Sequence, residues 1–287
     1  MAGAIIKLIQ QGILKAATLN LVRSAAVQEY VRSKDGTRIG YSRFGEGPAV
    51  VFVHGSLSKG SDWLGVAASL QQPLTCYLMD RRGHGRSEHG ATAYSIEREY
   101  EDVVAVLTAA GSGASLVGHS FGAICALGAA LRGAARRLIL YEPPLPIGGL
   151  IAGENLAPYC RALADGRLED ALEIGLKKFV RVPGAAVHAM RASSGWSKLA
   201  SLVPTWPREL KAMDELASDA EEYAAIACPT LLLLGTESPE HPFRHAISAL
   251  SQTLPNVRTA YLKGQSHMAM RSAQGLLAEL ISGFILA

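Results

Sequence analysis

Short apolar runs alternate with stretches of helical period along most of the chain. The runs at 49–53, 74–79, 115–117, 137–141, 229–234 and 257–262 are rich in Val, Leu or Ile and nearly free of charge. Continuous runs of this length predict strands buried on both faces. Between them, 61–70, 95–110, the Ala- and Gly-rich stretch to about 131, 241–253 and 273–285 predict helices. Ser61, Asp62 and Ser95 can cap helix starts, and Glu97 and Glu99 suit the positive end of the second. Residues 28–43 form two extended runs about Asp35-Gly36, a hairpin signal. Strands alternating with helices predict an α/β fold: a mostly parallel twisted sheet with helices on both faces.

The interval 143–222 breaks the rhythm and reads as helices only, with Trp196 and Trp206 inside it beside Pro183, Pro204 and Pro207. A helical cap over the carboxyl edge of the sheet is expected, because open α/β sheets bind ligands there. The expected organisation is a core of 28–142 and 223–287, a cap of 143–222 and an N-terminal helix of 1–27. In that helix Ile5, Ile6, Ile9 and Ile13 recur at helical spacing. Lys7, Gln10, Gln11 and Lys15 interrupt it well short of the ~20 apolar residues that span a bilayer. Its short central run also makes a poor signal peptide. Packing on its own domain or in a homodimer is the preferred reading, ahead of contact with a membrane surface.

Composition adds exclusions. The 287 residues are 49% hydrophobic and 18% charged, with a net charge of +3. Apart from Arg81, Arg82 and Arg86 there is no basic cluster, so no nucleic-acid partner is expected. Cys76, Cys125, Cys160 and Cys228 form no CxxC pair and no metal spacing with histidine. They read as buried reduced thiols, in keeping with a cytoplasmic protein.

The chemistry lies in three segments. Gly118-His119-Ser120-Phe121-Gly122 matches G-x-S-x-G between a strand and a small-residue helix. Such a turn lifts a serine Oγ into the cleft, with glycines where strand and helix approach. Ser120 is the expected nucleophile. His54-Gly55-Ser56 ends an apolar strand, and the backbone N–H groups of Ser56 and Phe121 are the expected oxyanion hole. Gly264-Gln265-Ser266-His267 follows the last strand, where His267 can serve as general base.

With these segments the chain resembles the α/β-hydrolase superfamily over about residues 28–287. Asp80-Arg81-Arg82-Gly83-His84-Gly85-Arg86-Ser87 is similar to that family's D-x-R-G-x-G-x-S loop, which accounts for the arginine cluster as structure. The resemblance implies a cap and no cofactor. The chain departs from it at the acid. Many relatives carry an aspartate three residues after the glycine ending the penultimate strand, and here that residue is Ser238. Glu142, after the strand 137–141, is the preferred substitute, as in some relatives; Glu237 is the alternative.

The expected activity is hydrolysis of a small apolar ester or related carbonyl substrate through a Ser-His-acid triad and an acyl-enzyme, as in carboxylesterases and lactonases. Trp196 and Trp206 are candidate substrate walls. A C–C bond hydrolase, an acyltransferase, a cofactor-free lyase or peroxidase, and a non-catalytic ligand-binding relative remain the alternatives.

Overall fold

A computed structural model describes residues 20, 22 and 24–287 except 71, 92 and 134. The helix expected over 1–27 lies, but for its last turn, outside the described residues. Strands β1 (Val27–Arg32) and β2 (Arg38–Gly45) form the hairpin about Asp35-Gly36. They are followed by β3 (Ala49–Val53), β4 (Thr75–Met79), β5 (Ser115–His119), β6 (Leu138–Tyr141), β7 (Thr230–Gly235) and β8 (Val257–Leu262). Among the described residues these make one eight-stranded sheet in the order β1-β2-β4-β3-β5-β6-β7-β8. β2 runs antiparallel to β1 and β4, and every other pairing is parallel.

The apolar runs are continuous because both faces of the sheet are covered. Leu231 and Leu233 of β7 join a core with Phe52, Val117, Ile139 and Trp63. Their neighbours Leu232 and Leu234 face the other way, into a core with Val53, Leu116 and Leu140. Full burial of each such side chain contributes roughly 1.5–3 kcal/mol.

Helices α1 (Leu64–Ala67), α2 (Ile96–Ala110) and α3 (Phe121–Ala130) come from the first half of the chain. α3 is apolar all round and every residue in it is buried, which marks it as a central element rather than a surface one. Its Gly128 leaves room for Tyr100 of α2, whose ring lies 2.3 Å from where a Cβ would stand.

Between β6 and β7 there are only helices: α4 (Leu156–Ala164), α5 (Leu168–Lys178), α6 (Gly184–Arg191), α7 (Trp196–Ala200), α8 (Trp206–Asp214) and short 3-10 turns. Since β6 and β7 pair directly, this insertion leaves and rejoins the sheet at adjacent strands. The chain ends with α9 (His245–Thr253), α10 (Ala269–Ser272) and α11 (Gln274–Leu286).

The helix expected from 241 becomes regular only at His245. Pro242 lacks an N–H and pushes the residue before it out of helical geometry, and His241 takes φ −100° and ψ 135°. All four cysteines are free; Cys160, expected to be buried, is exposed on α4. No helix among the described residues is long and apolar enough to cross a membrane.

Candidate active site

Ser120 stands between β5 and α3 with φ 54° and ψ −128°. A non-glycine residue in the left-handed region is strained, by of order 1–3 kcal/mol, and persists only where its surroundings over-determine it. Here Ser120 N–H donates to Tyr141 O of the next strand (2.9 Å), and Ser120 O accepts from Ala123 N–H of the helix (2.8 Å). The two flanking glycines are required by close approach. A Cβ on Gly118 would sit 2.5 Å from Gly122 O, and one on Gly122 would sit 2.4 Å from His54 O.

The loop after β3 crosses this turn. A Cβ on Gly55 would stand 2.9 Å from Ser120 Cβ, so its backbone passes directly against the serine. Phe121 begins α3, where the first N–H groups of a helix have no intrahelical acceptor. The Ser56 and Phe121 backbones thus lie on the two segments that meet at Ser120.

His267 is 9% exposed and is held on every side. Its Nδ1 lies 2.6 Å from Glu142 Oε2. Its ring stacks on Phe243 at 4.2 Å and packs on His119 at 4.4 Å. The loop that carries it is fastened by its carbonyls. His119 Nε2 donates to His267 O at 2.9 Å, and Tyr141 donates its hydroxyl proton to Ser266 O. Burial, helped by the nearby His267, pushes the His119 pKa well below its usual value. The ring is neutral, and its proton must sit on the nitrogen facing that carbonyl. Sequence alone missed this residue: the G-x-S-x-G spacing gives the position before the serine no part of its own.

Glu142 directly follows β6, fully buried, with φ 50°. Oε2 takes the histidine, while Oε1 accepts from Gly235 N–H (2.7 Å) and Ser238 Oγ (2.6 Å). Ser238, at the position where many relatives carry their acid, therefore hydrogen-bonds the carboxylate that replaces it. Glu237 lies at the cavity wall but is exposed, and its carboxylate accepts only a long contact from Thr236 Oγ1 at 3.4 Å. Of the two glutamates, it is Glu142 that meets His267.

A cavity of about 580 Å³ opens above Ser120 and His267, within the range of small-molecule sites. Its walls are apolar, from Leu176, Phe179, Val182 and Met190 of the insertion to Phe243 and Met270 of the core. Trp206 lines it. Trp196 does not: it is buried in the packing of the insertion, away from the lumen. The cavity-lining arginines, Arg181 and Arg271, are both exposed, and Arg271 lies 3.7 Å from Asp62 at the rim.

A parallel sheet carrying a serine on a strained strand–helix turn, with a histidine–carboxylate pair on loops of the same sheet edge, defines an α/β-type hydrolase. The chain matches the profile of the alpha/beta hydrolase family over residues 50–280, and it belongs to that family. It is 28% identical over 249 residues to N-formylmaleamate deformylase from Pseudomonas putida, an alignment covering 82% of this chain and 88% of that one. It is 26% identical over 269 residues to non-heme haloperoxidase from Rhodococcus erythropolis, covering 88% and 98%. Among solved structures, an alpha/beta hydrolase from Sphaerobacter thermophilus superposes with a TM-score of 0.77 at 32% identity, over 88% of this chain and all of that one.

Proposed function

We propose that the protein is a serine esterase acting on neutral, largely apolar carboxylic esters. The observation that carries this reading is the 2.6 Å pair of His267 Nδ1 and Glu142 Oε2 beside Ser120 on the floor of an apolar cavity. In this mechanism His267 Nε2 takes the Ser120 proton as Oγ attacks the ester carbonyl. The oxyanion is met by the N–H groups of Ser56 and Phe121. Glu142 keeps the proton on Nδ1 and stabilises the imidazolium. The imidazolium then protonates the departing alcohol, leaving an acyl-Ser120. A water deprotonated by His267 attacks the acyl carbon, and Ser120 recovers its proton as the acid leaves.

The helical stretch 143–222 acts as the cap, supplying walls for the acyl group. A buried carboxylate on the substrate would need a paired cation, and the lining arginines lie at the exposed rim. The substrate class is therefore set apart from the acid amide in the name of the Pseudomonas relative.

The test is hydrolysis of p-nitrophenyl esters from acetate to dodecanoate, with a p-nitrophenyl hemisuccinate for comparison, by wild type and Ser120→Ala. Turnover that rises to a medium chain, falls for the hemisuccinate and vanishes in the variant is expected. A folded wild type that turns over none of these esters, or a Ser120→Ala variant that keeps the activity, overturns the reading.

A further inference from the structure

Behind the loop that crosses Ser120 lies a buried ion cluster that reaches from the core into the insertion. Arg81, two residues beyond β4, is fully buried. Its Nε donates to His54 O (3.0 Å) and its Nη2 to Gly55 O (3.3 Å), and the guanidinium lies 4.7 Å over the Phe121 ring. It therefore touches both segments whose N–H groups face the developing oxyanion. Gly55 C=O and Ser56 N–H belong to one planar peptide unit, so fixing the carbonyl direction fixes the N–H direction. A donor on that carbonyl also polarises the unit, making its N–H the better donor.

Two carboxylates hold the guanidinium. Glu99 of α2 accepts from Nη1 at 2.8 Å, and Glu209 of α8 accepts from Nη2 at 2.7 Å. Nη2 is the same nitrogen that serves Gly55 O. All three side chains are without solvent exposure. Burial alone would raise the pKa of Glu209. The Arg81 charge and the hydrogen bond with His84 outweigh it and hold the carboxyl well below its usual range. On the same helix Trp206, Leu210 and Met213 line the cavity.

We propose that Glu209 is a positioning residue for the oxyanion hole: reaching from the insertion, it fixes the Arg81 nitrogen that orients the Gly55–Ser56 peptide. The hole is then set when α8 is seated on the core, and α8 reports the filling of the acyl cavity to the reacting carbonyl. This rests on the serine-hydrolase reading above.

The test is Glu209→Gln, which keeps shape and removes the charge, with Glu209→Asp, which keeps the charge and draws it back by one methylene. Removing a hole donor outright costs about 100- to 1000-fold, so a misaligned one is expected to lower kcat by about 10- to 100-fold. KM should change little, and affinity for a trifluoromethyl ketone, which forms the tetrahedral adduct, should fall in proportion to kcat. Glu209→Asp should show the same signature at smaller size. Amide hydrogen exchange of residues 54–58 in the resting enzyme should quicken in both variants while that of β8 does not. Unchanged exchange at 54–58, unchanged kcat, or an equal weakening of ground-state ligands and of thermal stability overturns the proposal. Exchange needs no turnover, so a wild type inactive on esters would sink the esterase reading while exchange still decides for or against the clamp.

Discussion

Glu142→Gln exchanges one oxygen for an NH2 and leaves the shape of the site alone. The structure dictates which way the new amide lies. Oε1 accepts from both Gly235 N–H and Ser238 Oγ, so the amide oxygen is kept there and the NH2 faces His267 Nδ1 across 2.6 Å. A donor at that point makes Nδ1 an acceptor and moves the ring proton to Nε2. In the mechanism proposed above that nitrogen takes the Ser120 proton, so the variant holds the wrong tautomer as well as lacking the negative charge. The equivalent change in a serine-protease triad costs about 10,000-fold in kcat, close to 5.4 kcal/mol of barrier. We expect a loss of that order in kcat for p-nitrophenyl butyrate, with a melting temperature near wild type because the Gly235 and Ser238 donors stay satisfied. Glu237→Gln should remain close to wild type, since its carboxylate is exposed. A folded Glu142→Gln enzyme within about tenfold of wild type would refute the tautomer argument. A large loss in Glu237→Gln would move the acid to that residue.

Three further outcomes follow from the same geometry. Glu142→Gly combined with Ser238→Asp moves the acid to the loop after β7 and should recover activity lost in Glu142→Gly alone; Ser238→Asp by itself, 2.6 Å from Glu142 Oε1, should lower stability through like-charge repulsion, read by thermal melts. Gly122→Ala would set a Cβ 2.4 Å from the carbonyl oxygen of His54; such overpacking costs typically about 1–3 kcal/mol, and an unchanged melting temperature would contradict the close approach. Burial, opposed by Arg81 but reinforced by Glu209 and Asp102, pushes Glu99 up to about 7. The folded state then binds the proton more tightly than the unfolded one, so this group makes stability fall as pH rises from about 4.5 to about 7 and has no further effect above. Glu99→Gln should flatten the decline of melting temperature across that window; an identical slope in both proteins would count against it.

Much of the fold is written locally. Apolar runs buried on both faces mark their own strands, and β3 and β8 carry the expected bounds of 49–53 and 257–262. Ser120 and His267 are legible because the turn and the loop constrain neighbouring residues, leaving motifs of a few positions. The choice between Glu142 and Glu237 is not local. It turns on which side chain lies inward once β6 and β7 pair, and both glutamates follow a strand. Glu209 carries no signal of its own: it meets Arg81 across 128 positions, in a helix whose sequence gives no hint of a buried carboxylate. His119 escaped notice for a related reason, since its role is to brace a loop 148 residues away.

The pairing of β6 with β7 has a consequence for how such an enzyme changes its diet. The insertion departs after Glu142, which stays with the core, and returns before Thr230 into strands that touch, with Tyr141 opposite Leu233 in register. Topologically it is a cassette: the sheet would close beneath it whatever its length, and the entropy of closing a longer loop grows only slowly. A foreign cassette would bring its own walls and leave Ser120 and His267 untouched. What it could not omit is an anion at the site of Glu209, because the Arg81 it meets stays behind in the core. Chimeras built without that anion should fold a new pocket over a poorly set hole, and restoring one glutamate should revive them.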